Sequence, residues 1–173
     1  MTNISNILVH TPLWVFAVFA FLMWVGLQAL SPRTLSIWRL LITPAIFITW
    51  GVESIVVRSL SSPILVVDWS ATLAIGAAIA WTTSRLDNVG IDRQRGTVSF
   101  PASALPLIRN LLIFSAKYVL GVAAAMMPAW RPELALWDIA VSGASAGYFL
   151  GWLARFALAY RRASEPNLAE QVR

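Results

Sequence analysis

Nineteen residues, Pro12 to Leu30, pass without a charged side chain, and the first charge on any side chain is Arg33. At about 1.5 Å per residue, a helix of that length matches the roughly 30 Å hydrocarbon core of a bilayer. Four further apolar runs of similar length follow, at about 38–57, 64–83, 104–128 and 134–158. Composition says the same thing in bulk. Of 173 residues 58% are hydrophobic and 12% charged, whereas soluble domains carry about 25% charged residues. A soluble fold this small has too little interior to hide so much apolar surface. The expected fold is therefore all-α: a polytopic transmembrane bundle of five spans, forming one domain over 1–160, followed by a polar cytoplasmic tail at 161–173.

The only substantial polar connection lies between the third and fourth spans, at 84–103. Two short apolar stretches, 88–91 and 97–100, flank a charged turn that ends in Gly96. That pattern predicts a small β-hairpin, with a catalytic loop as the alternative. Ser103 is placed to cap the fourth helix, whose first turn tolerates Pro106.

Charge sets the orientation. With the amino terminus outside, ten arginines fall on the inner side: Arg33, Arg39, Arg85, Arg93, Arg95, Arg109, Arg155, Arg161, Arg162 and Arg173. Only Arg58 and Arg131 fall outside. Cytoplasmic loops carry such an excess, so a periplasmic amino terminus and a cytoplasmic carboxyl terminus are expected. A secretory signal carries positive charge ahead of its apolar run, and none stands there, so a retained first helix is expected. Aromatic residues fit the same threading. Trp14, Trp69, Trp130 and Trp137 fall near the outer interface, and Trp38, Trp81, Trp152 and Tyr160 near the inner one. Trp24 and Trp50 lie deeper.

Several chemistries are excluded. Cysteine is absent and His10 is the single histidine, which removes disulfides, thiol catalysis and Cys/His metal clusters. No phosphate loop or HExxH motif occurs. No cofactor is expected, and an enzyme is the less favoured class. The basic balance reflects topology rather than nucleic-acid binding, because the arginines border the apolar runs.

A few ionisable groups serve no topological purpose. Glu53, Asp68 and Asp138 each lie about four residues from the outer end of a span, roughly 6 Å below the boundary. Lys117 sits mid-span in the fourth, with a stem long enough to rise to that level. His10 borders the first span on the same side. Intramembrane charges usually face a bundle interior or a watery cavity. These five residues form a candidate polar cluster for a cation, a proton or a small solute, whether or not a metal is involved. The plainer reading lets Asp68 and Asp138 snorkel near helix amino ends and makes Lys117 a structural ion pair. Gly143, Gly147 and Gly151 recur every fourth residue, a small-xxx-small stripe that admits a close neighbour. Packing on the Lys117–Gly121–Ala125 face of the fourth span would set Lys117 beneath Asp138. A homo-oligomeric seam is the alternative.

His10-Thr-Pro-Leu-Trp-Val15, Ser31-Pro-Arg33, Phe100-Pro-Ala-Ser103, Leu105-Pro-Leu107, Lys117-Tyr-Val-Leu-Gly121 and the glycine-striped last helix together resemble a family of bacterial inner-membrane proteins, known only as a domain of unknown function. The likeness covers nearly the whole chain. It implies a small inner-membrane protein and supplies no activity. Two functional classes remain: a membrane protein that handles a small solute, ion or protons through the polar cluster, and an assembly subunit in which the cluster is structural. Lipid, and for the first class an unidentified solute or ion, are the partners expected.

Overall fold

The computed structural model describes residues 11–59, 63–84, 86, 89–93 and 95–162. His10 and the tail from residue 163 onward lie outside the described residues. Among the described residues, the fold has five α-helices and three short strands: α1 (Leu13–Gln28), β1 (Arg33–Ser36), α2 (Ile37–Ser59), α3 (Pro63–Thr83), β2 (Gly90–Asp92), β3 (Thr97–Phe100), α4 (Leu105–Met126) and α5 (Arg131–Arg162). Four of the helices are long and apolar enough to cross a membrane, and α1 is a shorter apolar helix of 16 residues. The helical class and the five segments agree with the sequence reading, and the bounds shift at the ends. α5 continues to Arg162, so Arg161 and Arg162 belong to the helix rather than to a tail.

Prolines mark several boundaries. Pro12 precedes α1, Pro63 opens α3, and Pro106 occupies the first turn of α4, positions where a missing N–H costs nothing. The expected cap is displaced by one residue: Ala104 occupies the N-cap position without a side-chain cap bond, and Ser103 before it accepts from Leu105 N–H at 3.3 Å. Pro44, by contrast, sits inside α2, where it removes a backbone hydrogen bond.

The core follows from close backbone approach. A Cβ on Gly147 would collide with the Leu73 backbone on α3, and Gly143 and Gly151 lie equally tight against Trp69 and Ala77. Gly76 of α3 meets Ala144 in return. The offset is constant along the seam, so α3 and α5 run parallel. This corrects the expected packing on α4. The stripe is covered by α3, which presents small residues of its own at Gly76, Ala77 and Ala80. Gly121, expected to take part in the α4–α5 contact, instead faces open space, with nothing within 4 Å of the position its Cβ would occupy. On another side of α5, Gly51 of α2 lies against Ala146. Leu22, Phe47 and Phe149 then join α1, α2 and α5, with the two rings stacked at 4.8 Å.

One end of the bundle carries a three-stranded antiparallel sheet in the order β1–β3–β2. The expected hairpin is present: Asp92 Oδ1 accepts from Arg95 N–H at 3.0 Å, and Gly96 supplies the positive φ of 61°. The third strand, β1, was not anticipated. Its register sets Arg33 opposite Phe100 and Leu35 opposite Val98, which is fully buried. Arginines tie this sheet end to the helices. Arg33 donates to Val25 O at 3.3 Å and Arg155 donates to Trp81 O, satisfying carbonyls at the carboxyl ends of α1 and α3. The Arg93 guanidinium lies 4.4 Å over the Tyr160 ring.

Two leucine substitutions separate the tight glycine from the open one. Gly147→Leu should destabilise the fold by at least about 3 kcal/mol, because the obstacle is backbone rather than a movable side chain. Gly121→Leu should stay within about 0.5 kcal/mol of the parent. Size-exclusion profiles after graded heating in detergent measure both, and equal losses would contradict the seam.

Candidate functional site

Away from the sheet, α1, α2, α4 and α5 leave a cavity of about 650 Å³ between them. Apolar side chains form its walls, among them Trp14, Phe47, Trp50, Ile113 and Phe114. Its polar lining includes Lys117, Ser142 and Ser145. Leu22 and Phe47, which also line it, belong to the core cluster with Phe149. At the rim, Trp14 meets Trp50 edge-on at 6.4 Å, and Thr11 and Tyr118 share a hydrogen bond of 3.0 Å.

Lys117 is the chemical centre of this groove. Its Nζ donates to Asp138 Oδ1 at 2.5 Å and to Ser142 Oγ at 2.8 Å. A third contact, to Asp138 O, is 3.5 Å long. Ser142 Oγ donates in turn to Asp138 O at 2.8 Å and lies 3.3 Å from Ser54 Oγ. One ammonium thus gathers three helices, α2, α4 and α5. Neither partner of the ion pair is dry: the Lys117 and Asp138 side chains keep 26% and 16% of their surface exposed. The pairing of Lys117 with Asp138 matches expectation, although it is reached without the glycine-to-α4 contact on which that expectation rested.

Of the other expected members, Glu53 and Asp68 do not join, and His10 lies outside the described residues. Glu53 is exposed on α2 and lines a separate shallow depression with Ala45, Ile46, Thr49 and Trp50. Asp68 is half-buried, and its Oδ2 has no hydrogen-bond partner among the described residues. Neither forms an ion pair with Lys117. Among the described residues no group of three His, Asp or Glu side chains is placed to hold a metal ion.

Sequence reasoning missed several participants. Ser142 and Ser54 were not singled out for the cluster, yet Ser142 stands four residues after Asp138, one turn along the same helix face, which is the signal that could have found it. Trp50, too deep to be an interfacial anchor, is a groove wall. Trp69 was expected at an interface, but its Nε1 donates to Gly51 O at 3.1 Å and so fastens α3 to α2. Arg109 was assigned only a topological role. Its guanidinium instead lies 4.4 Å over the Phe149 ring and 5.2 Å from that of Tyr148, while Nη2 approaches Asn110 Oδ1 at 3.5 Å. Cation–π contact is thus its main interaction, worth about 0.5–2 kcal/mol or more where water is excluded.

Fold and groove together define a helical bundle with four membrane-length helices and a side cavity lined by Lys117, the cationic member of an ion pair with Asp138. Comparison with protein-family models, curated proteins and solved structures gave no match.

Charge removal tests how the pair is built. Lys117→Met leaves Asp138 stranded and should cost about 3 kcal/mol, the lower end of the range for a buried pair because neither partner is fully dry. Replacing both at once, Lys117→Met with Asp138→Leu, should recover most of that loss. Thermal unfolding of the single and double variants reads the difference directly; additive losses would mean that the two groups act independently.

Proposed function

We propose that this chain is a five-span protein of a bacterial inner membrane, and that the groove ending on Lys117, Asp138 and Ser142 is its ligand site, through which it handles a small solute. The observation that carries the reading is that Lys117, paired with Asp138 yet still 26% exposed, lines a cavity of about 650 Å³. That volume falls within the roughly 300–1,000 Å³ typical of small-molecule sites. A purely structural pair would gain by being sealed, since apolar packing of the same volume is often as stable.

The topology reading has support of its own. The sheet end collects Arg33, Arg93, Arg95, Arg155, Arg161 and Arg162, the excess characteristic of a cytoplasmic face. Trp38, Trp81, Trp130 and Trp137 are turned outward, as interfacial anchors are. At about 1.5 Å per residue, the 16 residues of α1 rise about 24 Å, which a locally thinned bilayer or flanking residues can accommodate. The likeness to the inner-membrane family of unknown function belongs to the same proposal. The second reading, an assembly subunit, draws on the way Lys117 links three helices.

The absence of cysteine makes orientation easy to test. Single cysteines placed at Arg95 and at Trp130, both exposed, should react with an impermeant maleimide from opposite sides: Trp130→Cys in intact spheroplasts, Arg95→Cys only in inverted vesicles. The reverse pattern would overturn the threading. For the ligand site, protein extracted from native membranes with its surrounding lipid should carry a compound in near-stoichiometric amount. The same preparation of Gly121→Leu, whose side chain would project into the groove, should lack it. Identical extracts from the two proteins would favour the assembly reading.

A further inference from the structure

We infer that the groove takes a membrane-dissolved amphiphile with one apolar tail and an uncharged head, such as a hydroxyl or carbonyl group, that accepts a hydrogen bond from Lys117. This rests on the groove being a ligand site and adds the chemistry of what enters it.

The distribution of polar groups sets the overall character. Lys117, Ser142 and Ser145 lie at one level, while Trp14, Trp50 and Phe114 line the remainder. The other polar lining groups, Thr11 and Tyr118, are bonded to each other at the rim. A ligand matching these walls has one polar end and a larger apolar part. A polar solute would leave most of its hydrogen bonds unmade, at a cost of about 1–3 kcal/mol per buried group.

Charge decides the head. Lys117 and Asp138 already neutralise each other at 2.5 Å. An ionised head would bring an unbalanced charge into an apolar setting, where desolvation costs several kcal/mol per ion. An uncharged head avoids that penalty. The hydrogen-bond count then decides donor or acceptor. Two of the three ammonium hydrogens are committed in short bonds, to Asp138 Oδ1 and Ser142 Oγ. The third points to Asp138 O at 3.5 Å, and that carbonyl already accepts from Ser142 at 2.8 Å. At the limit of hydrogen-bond distance, this third donor is the one a ligand acceptor can claim.

The groove's lining indicates the route. Leu22 and Phe47 line it and also belong to the buried cluster with Phe149. Trp14 at the rim is 58% exposed, on the outward surface of the shortest helix. The ligand therefore arrives laterally from the lipid phase.

Four photoreactive probes with the same diazirine-bearing hexadecyl tail test this in phosphatidylcholine nanodiscs: the alcohol, the sulfonate, the trimethylammonium and the headless hydrocarbon. Labelling is mapped by mass spectrometry at Phe114 and Val122 in the groove, with outward-facing Leu112 as the lipid reference. The alcohol should label the groove about fivefold more than the headless hydrocarbon, the ratio that one hydrogen bond of about 1 kcal/mol supports, and more than either charged probe. Gly121→Leu should lower groove labelling to the lipid reference. The Lys117→Met/Asp138→Leu double variant, which strands no charge, should keep tail labelling but lose the alcohol's advantage over the headless hydrocarbon. Groove labelling that favours a charged probe, yet is still blocked by Gly121→Leu, would overturn the head chemistry and leave the ligand site standing. Labelling by all probes that Gly121→Leu does not change would overturn the site and the inference together.

Discussion

Everything in this molecule depends on how closely α5 lets its neighbours approach. In lipid, apolar side chains gain nothing by leaving their solvent, so helices hold together through packing contacts and a few polar bonds. α5 supplies both. Gly143, Gly147 and Gly151 bring its backbone against that of α3, and Ala146 receives Gly51 of α2. Its Asp138 and Ser142 hold Lys117 of α4. α1 is the exception, because it packs mainly on α4, where Gly26 lies tight against Leu107 and Phe19 meets Phe114 at 5.1 Å; Leu22 joins it to the Phe47 and Phe149 cluster. The tight seam and the open groove are therefore two outcomes of one arrangement: α3 fills the glycine face of α5, while the α1–α4 pair leaves the Lys117 side of α5 less tightly covered.

Arginine carries a second structural load. Three helix ends have a carbonyl satisfied by a guanidinium: Val25 O by Arg33, Trp81 O by Arg155 and Ala124 O by Arg131. The planar fork reaches back over a helix end while its stem covers apolar surface, which an ammonium does less well. That gives a structural reason for the use of arginine at 12 of the 13 basic positions. The single lysine is kept for the groove, where a compact group with three freely turning donors suits several partners at once.

Much of this fold was legible in the sequence because apolar run length and chain thickness are nearly the same quantity in a membrane protein. The five helical segments and the 88–100 hairpin came directly from runs and punctuation. Depth was legible too: counting residues from span ends put Lys117 within reach of Asp138. Facing was not. A run apolar on every side, such as α1 or α3, carries no periodic mark of which face is buried, so Glu53 and Asp68 were grouped with groups they do not touch. The glycine stripe announced a close neighbour without naming it, although Gly76 and Ala80 on α3 formed a complementary pair. β1 was too short, at four residues, for alternation to stand out beside the end of a helix.

The seam between α3 and α5 has a consequence for the order in which the molecule is made. Leu73 and Gly147 lie 74 residues apart in sequence, and α4 is synthesised between them. At a synthesis rate of roughly 5–20 residues per second, α3 waits on the order of 4–15 s before its partner exists. Through that interval its small-residue face lacks its partner, while the Trp69 bond to Gly51 can already tie it to α2. α5 is thus the closing element of assembly as well as its centre, and a chain stopped before it would contain four helices with no common partner.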